Sequence, residues 1–250
     1  MLLAVDIGNT SIKFGLFDGE ELTSKFSIST KRDATADEIK LAVGDRLRWP
    51  IEAAIACSVV PQVEEPIRRF LLSTTKIDPI FVNNSFDFRL KINYEPLESL
   101  GTDRLVNAFA AVEKYGAPCI ICSLGTATTI DVVNDKNEFM GGIIAPGIDA
   151  MAEALHLKAA RLPNVEIEKP VRMLAHSTAE SIRSGVYYGY VAMVEGLITR
   201  VRTESGVARV VATGGNAAIF AACADIVEPA LILNGLRLLH RFGAMSVPPA

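Results

Sequence analysis

The sequence opens with residue types that can hold a metal-bound phosphate. Asp6 ends the apolar run 2–5 and is followed by Gly8 and a short polar stretch before a second apolar run, 12–17, begins. A glycine lets backbone N–H groups close on an anion, and the Asp6 carboxylate can hold a cation or its water shell. The two apolar runs are typical of buried strands. We therefore predict a hairpin whose turn binds the phosphates of a nucleoside triphosphate.

The same pattern returns 117 positions later. Aligning Asp6 with Ser123 sets one glycine turn over the other and Ser11 over Thr128, with an apolar run on each side of both turns. Two copies in register indicate a duplicated domain with a phosphate loop in each half. We expect the two loops to face each other across a cleft.

A third stretch, 101–104 with the sequence GTDR, precedes apolar residues at helical spacing and is therefore placed at a helix N-terminus. In one interpretation Thr102 or Asp103 is an ordinary helix cap. In the other, the planar guanidinium of Arg104 binds a substrate carboxylate while Asp103 acts as a base. Such a pair would orient an acid that also carries a hydroxyl group.

Composition limits the class of protein. The 250-residue chain is 50% hydrophobic and 22% charged, which is typical of a globular protein with one large domain or two small ones. The formal net charge of −4 gives no footprint for nucleic acid. The start lacks a basic leader, and no uncharged run reaches the roughly 18 residues that span a bilayer. We expect a cytoplasmic protein without a membrane or nucleic-acid partner.

The four cysteines do not form a zinc-binding pattern. Cys119 and Cys122 fall in a strand-like run, where positions three apart point to opposite faces, and no second pair completes a tetrahedral cage. We expect free thiols in the core.

Strand-like and helix-like segments alternate along the chain, which favours an α/β layer architecture. A domain boundary is expected near 116–118, giving an N-terminal domain, 1–116, and a C-terminal domain, 117–250. The predicted helices are 34–48, 63–72, 105–115, 147–157, 179–202 and 231–242. The strands predicted after the first hairpin are 53–60, 79–82, 139–145 and 208–212, with one further apolar strand on each side of the second glycine turn.

Several short motifs occur in the order and spacing of type III pantothenate kinases, and the chain resembles that family over nearly its whole length. The motifs are DIGNT at 6–10, SVVP at 58–61, GTDR at 101–104, GTATT at 125–129, GGIIAPG at 141–147, RLP at 161–163, STAESIRSG at 177–185 and TGGNA at 213–217. Their combination is far more specific than any one of them.

The resemblance implies a fold and a reaction. The fold is actin-like, with two duplicated ribonuclease-H-like domains in which mixed sheets are flanked by helices, as in the sugar-kinase superfamily. Such an enzyme transfers the γ-phosphate of ATP to pantothenate, giving 4′-phosphopantothenate in the first step of coenzyme A synthesis, with Mg²⁺ as cofactor. The resemblance also implies a homodimer with the substrate site at the subunit interface.

Residue roles follow from the matched motifs. Asp103 is the implied general base, and Asp6 is the implied organiser of Mg²⁺ through water. The implied contacts to ATP are Asp6, Gly8, Asn9, Thr10, Gly125, Thr126, Thr128, Gly214 and Gly215. The implied contacts to pantothenate are Tyr94, Gly101, Thr102 and Arg104, with Thr178 reaching the neighbouring subunit's substrate. Lys13 is not required by the resemblance, and we expect it either to reach a phosphate along the second strand or to be a solvated lysine.

One position departs from the family pattern. The family generally has an aspartate where this chain has Ser123, and that carboxylate helps to bind an activating monovalent cation. Serine keeps an oxygen but loses the charge. The K⁺ or NH₄⁺ site is therefore weakened, replaced by another oxygen such as that of Asp131, or absent.

Two other classes of function stay open. A non-catalytic relative, kept as a regulatory or accessory protein, would share the fold but is expected to lack the base or a phosphate loop. Another enzyme of the superfamily, such as a sugar or acetate kinase or a polyphosphate-cleaving phosphatase, is not expected to combine the GTDR and STAESIRSG stretches.

Overall fold

The structure is a computed structural model that describes residues 1–245. The strands are β1 (Leu2–Ile7), β2 (Ser11–Asp18), β3 (Glu21–Ser29), β4 (Ala53–Ser58), β5 (Ile80–Val82), β6 (Lys91–Ile92), β7 (Cys119–Leu124), β8 (Ala127–Val133), β9 (Glu138–Pro146), β10 (Val210–Thr213) and β11 (Ile226–Val227). The α-helices are α1 (Ala36–Val43), α2 (Pro61–Thr75), α3 (Thr102–Tyr115), α4 (Ile148–Lys158), α5 (Thr178–Ser205) and α6 (Leu231–Met245). Short 3₁₀ turns cover Gly44–Arg46, Leu97–Ser99 and Ala217–Phe220.

The chain divides into two compact units. Among the described residues, unit 1 comprises 1–90, 94–113 and 230–245, and unit 2 comprises 91–93 and 114–229. The main part of unit 2 begins at 114, and α6 belongs to unit 1. The division into domains 1–116 and 117–250 stays a prediction. Residues 246–250 lie outside the described residues.

Unit 1 contains a five-stranded sheet in the order β3-β2-β1-β4-β5. The first three strands are antiparallel neighbours, whereas β4 and β5 run parallel to β1. Apolar side chains of β1 and β2 pack with those of α1 and α2 in one core cluster, which includes Phe14 and Phe70. Gly15 on β2 leaves room for Leu233 of α6, which lies 3.0 Å from where a Cβ would be.

Unit 2 repeats this arrangement. Its sheet has the order β11-β10-β7-β8-β9-β6, so the five strands other than β6 follow the same order and directions as those of unit 1. Helix α5 covers one face, where Tyr190 and Val194 are buried. The prediction of a duplicated α/β unit is confirmed by this topology.

The predicted alignment of the two hairpins was wrong beyond the glycine turn. Asp6 pairs with Lys13 across β1 and β2, whereas Ser123 pairs with Thr129 across β7 and β8. The second turn is therefore one residue shorter than the first. Lys13 corresponds to Thr129, and the predicted match of Ser11 with Thr128 does not hold.

Two further expectations concern membrane-spanning helices and the state of the cysteines. Among the described residues, no helix is both long enough and apolar enough to cross a membrane. All four cysteines are free, as predicted; Cys57, Cys119 and Cys122 are buried, and Cys223 is partly exposed.

Candidate active site

Three side chains lie side by side at the carboxyl end of β1. Asp6 is the direct partner of Lys13 on β2 and of Cys57 on β4. Lys13 Nζ donates to Asp6 Oδ2 over 2.7 Å, and Cys57 Sγ donates to Asp6 Oδ1 over 3.7 Å. Both oxygens of this carboxylate, which is only 4% exposed, therefore have a partner on a neighbouring strand. These three residues are called the Asp6 row below.

Electrostatic effects connect the Asp6 row with Asp103. Burial lowers the pKa of Lys13, but the charge and hydrogen bond of Asp6, with smaller contributions from Cys57 and Asp103, raise it overall. Burial also raises the pKa of the Cys57 thiol well above its ordinary value, and Asp6 and Asp103 raise it further. Lys13 is therefore an ammonium and Cys57 a neutral thiol at neutral pH. Sequence analysis missed Cys57, although it directly precedes the SVVP motif.

Asp103 lies in the first turn of α3. Its Oδ1 accepts the backbone N–H of the next residue, Arg104, over 2.9 Å, so the carboxylate lies at the positive end of the helix dipole. A Cβ on Gly101 would lie 2.5 Å from this oxygen. Glycine at 101 therefore leaves the space that the carboxylate occupies.

The loop before α3 is held by a residue that sequence analysis missed. Thr102 Oγ1 donates to Asn84 Oδ1 over 2.7 Å, and Asn84 Nδ2 donates to the carbonyls of Leu97 and Leu100 over 2.8 and 2.7 Å. Asn84 and Thr102 also line a cavity of about 460 Å³ together with Ser58. The only signal in the sequence was a pair of asparagines directly after an apolar run.

Arg104 is a buried arginine, with 5% exposure. Its Nη1 lies 3.5 Å from the hydroxyl oxygen of Tyr94, and its guanidinium carbon lies 5.4 Å from the centre of the Tyr94 ring. The structure thus brings together two residues that were predicted to bind the substrate.

The backbone of the first predicted phosphate loop is held by hydrogen bonds, and two of its side chains are exposed. Gly8 N–H donates to the Ser11 carbonyl over 3.1 Å, and Thr30 binds the loop twice, through its N–H to the Thr10 carbonyl and its hydroxyl to the Gly8 carbonyl. The side chains of Asn9 and Thr10 are exposed. The backbone of the turn is thereby ordered while its outer side chains are accessible.

The second predicted phosphate loop is crossed by two close backbone segments. Gly125 N–H donates to the Ala127 carbonyl over 3.1 Å. A Cβ on Gly147 would collide with the Gly125 carbonyl oxygen, and one on Gly214, whose φ is +95°, would lie 2.5 Å from the Leu124 carbonyl oxygen. Both approaches require glycine.

Other predicted residues of unit 2 differ in accessibility. Thr126 and Gly215 are exposed, as is Thr178 at the start of α5. Thr128 is 1% exposed, and its Oγ1 lies 2.8 Å from the hydroxyl of the fully buried Tyr190. The Thr128 hydroxyl thus has a partner inside the core of its own unit.

The comparison with known proteins decides the family. A family model described as type III pantothenate kinase matches residues 2–200. The chain belongs to the type III pantothenate kinase family. Curated members are the type III pantothenate kinases of Geobacter sulfurreducens, 40% identical, and Moorella thermoacetica, 37% identical. Each alignment spans 250 residues and covers 96% of this chain and 98% of the relative.

Solved structures show the fold of this family member. A Baf family protein from Campylobacter jejuni superposes with a TM-score of 0.59 at 20% identity, covering 97% of this chain and 99% of that one. A candidate N-acetylglucosamine kinase from Porphyromonas gingivalis gives 0.54 at 13% identity, with 98% and 100% covered. These likenesses support the predicted fold of two duplicated α/β units, in which mixed sheets are flanked by helices.

The residues present fit a divalent metal that is held mainly by water and phosphate. Among residues 1–245, no group of three or more histidine, cysteine, aspartate or glutamate side chains could form a protein-only metal cage. Mg²⁺ keeps several waters and is usually bound by one or two carboxylates plus substrate phosphates. In a pantothenate kinase, the single carboxylate of Asp6 suits this mode.

Proposed function

We propose that the chain phosphorylates pantothenate with ATP, the first step of coenzyme A synthesis, and that Asp103 is the general base. The observation that carries the proposed role of Asp103 is its position in electrostatic range of the Asp6 row, with the buried Arg104 next to it in the first turn of α3. Pantothenate carries both a carboxylate and a primary hydroxyl, so it needs a cationic anchor and a base.

The proposed mechanism depends on position and charge. Phosphoryl transfer requires an oxygen aligned with the γ-phosphorus and neutralisation of the developing charge. The Asp103 carboxylate accepts the hydroxyl proton as the pantothenate oxygen bonds to the γ-phosphorus, while the bond from that phosphorus to the bridging oxygen breaks and ADP leaves. Arg104 and Tyr94 hold the pantothenate carboxylate, with Gly101 and Thr102 beside it. Mg²⁺, when bound, neutralises phosphate charge, and Asp6 holds it through water.

The further assignments are supported by accessibility. In unit 1, we propose that Gly8, Asn9 and Thr10 contact the phosphates, because the loop backbone is ordered and the side chains at 9 and 10 are exposed. Lys13 is proposed to act on phosphate binding through Asp6. In unit 2, the proposed ATP contacts are Gly125, Thr126, Gly214 and Gly215. Accessibility does not support the contact predicted for Thr128, which is 1% exposed and whose hydroxyl lies 2.8 Å from that of Tyr190.

Assembly and location complete the proposal. We propose a cytoplasmic homodimer in which Thr178 contacts the substrate of the neighbouring subunit. The exposure of Thr178 at the start of α5 leaves it accessible for such a contact.

The test measures ADP formation with ATP and Mg²⁺ against three acceptors: pantothenate, a hexose and acetate. We expect ADP only with pantothenate, together with a product heavier than pantothenate by one phosphoryl group. ADP with a hexose or acetate alone would assign another kinase activity. Nucleotide binding without turnover on any acceptor would favour a non-catalytic relative.

A further inference from the structure

The two units carry equivalent rows of side chains on the central three strands of their sheets. In unit 1 this is the Asp6 row on β2, β1 and β4. In unit 2 the corresponding strands are β8, β7 and β10, and there Ser123 pairs directly with Thr129 on one side and with Thr213 on the other. These three residues are called the Ser123 row. The topology alone establishes the correspondence.

The chemistry of the two rows differs completely. The Asp6 row contains a carboxylate, an ammonium and a thiol, whereas the Ser123 row contains three neutral hydroxyls. Thr213 is 2% exposed, so this end of the row is closed to water. Moving an ion out of water costs several kcal/mol unless charge or many oxygen ligands compensate. Neutral cages that hold K⁺ use rings of carbonyl oxygens, and three hydroxyls offer fewer ligands and no charge.

The nearest carboxylate on the same sheet face does not replace the missing charge. Asp131 lies on β8 two residues beyond Thr129, and it pairs with Ile121 and Gly142 instead of Ser123. A Cβ on Gly142 would collide with Asp131 Oδ1, so this oxygen lies against β9. Strand β9 is on the opposite side of β8 from Ser123. Asp131 Oδ1 therefore lies on the β9 side of β8, whereas Ser123 lies on the other side, on β7.

We propose that the Ser123 row does not bind a monovalent cation, and that phosphoryl transfer by this chain does not depend on K⁺ or NH₄⁺. The cation expected from the family resemblance thus does not fit the residues present. The activity part of this inference rests on the proposed function, whereas the binding part does not.

The first experiment compares ADP formation in chloride salts of K⁺, NH₄⁺ and tetramethylammonium at equal ionic strength, about 0.1 M, so that general screening is constant. ADP is separated by chromatography, because coupling enzymes can themselves require K⁺. We expect rates within about twofold of each other, and a loss of about tenfold or more in tetramethylammonium would overturn the proposal. Absence of ADP in all three salts would instead refute the proposed function.

The second experiment does not need activity. A cation that binds the folded state raises its melting temperature with concentration, so melting is compared in K⁺ and tetramethylammonium. The wild type and Thr203→Asp, which adds the same charge at an exposed position of α5, are expected to melt alike in both salts. Ser123→Asp is expected to be selectively stabilised by K⁺.

These melting results decide the proposal in each case. Selective stabilisation of the wild type by K⁺ would overturn it even if the Ser123→Asp variant failed to fold. A folded Ser123→Asp variant without any response to K⁺ would show that a carboxylate at position 123 does not create a cation site, and would overturn the chemical argument on which the proposal rests.

Discussion

Lys13 Nζ lies 2.7 Å from Asp6 Oδ2, and the two residues are direct partners across β1 and β2. From the sequence, Lys13 was expected to bind a phosphate or to lie in solvent, but in the structure it binds the carboxylate that is proposed to organise the metal. Its ammonium is also near enough to Asp103 for that carboxylate to raise its pKa. The Lys13 ammonium thus partly offsets the negative charges of Asp6 and Asp103.

The first prediction concerns this ion pair. Lys13→Met should destabilise the fold by about 1–2 kcal/mol, below the 3–5 kcal/mol typical of a fully buried pair because the Lys13 side chain is 38% exposed. The KM for ATP should rise, since Asp6 loses one of the groups that fix it. Urea unfolding and initial rates measure the two effects. Lys25→Met, at an exposed position of β3, is the matched control and should alter neither.

The second prediction tests the base. Asp103→Asn keeps the size of the side chain and an oxygen that can accept the Arg104 N–H, but it cannot take the hydroxyl proton. Turnover should fall by about 10²- to 10⁴-fold while the KM values for ATP and pantothenate change little. Asp135→Asn, in the exposed turn between β8 and β9, should behave as the wild type. Near-normal turnover of Asp103→Asn would remove this residue from the mechanism.

Most of the strands and helices could be predicted from the sequence because the patterns that indicate them are local. Apolar runs of four to eight residues predicted the central strands, and helical spacing predicted α3 and α5 within a few residues of their observed ends. Strand β3 was missed, since its residues alternate between exposed and half-buried and never form an apolar run. Two-residue strands such as β6 and β11 were missed because pairing partners far along the chain define them.

Candidate site residues could be predicted where the residue type alone indicates the chemistry. They could not be predicted where the register between distant strands brings side chains together. The GTDR motif predicted roles for Asp103 and Arg104 from their residue types, and the structure places both in the first turn of α3. The contacts of Cys57 depend on its alignment with Asp6 between parallel strands 51 residues apart, and no local pattern encodes that alignment. The two hairpin turns differ in length by one residue, and no local pattern in the sequence indicates this difference. It is this difference that pairs Thr129 with Ser123.

The third prediction concerns the space that Gly101 leaves for the base. In Gly101→Ala the new Cβ would lie 2.5 Å from Asp103 Oδ1 and must displace it. A shift of about 1 Å in a catalytic group can cost on the order of 10²-fold, so turnover should drop by about 10- to 100-fold. Gly189→Ala, in α5 with open space around it, is the control. It should leave the rate unchanged and stabilise the fold by about 0.5–1 kcal/mol. Equal rates for the two variants would contradict the packing argument.

The last prediction follows from the buried thiols. Burial raises the pKa of Cys119 to about 11 and that of Cys122 to about 12, and it raises that of Cys57 as well. In the unfolded chain a thiol titrates near pH 8.5. Below that pH both states hold the proton and stability is unaffected. Above it the unfolded state releases protons first, so stability should fall by about 1.4 kcal/mol per pH unit for each thiol, until the folded pKa is reached.

Urea unfolding at about pH 7.5 and about pH 9.5 measures this slope. Lys13 does not contribute in that window, because its ammonium, whose pKa is raised above 10.5, stays protonated in both states. Cys122→Ala should lower stability at both values but reduce the slope by about one thiol's share. Val210→Ala, which removes buried methyl groups on β10 without a titrating group, should lower stability and leave the slope unchanged. A stability that does not change between the two pH values would show that the three thiols titrate alike in the folded and unfolded states.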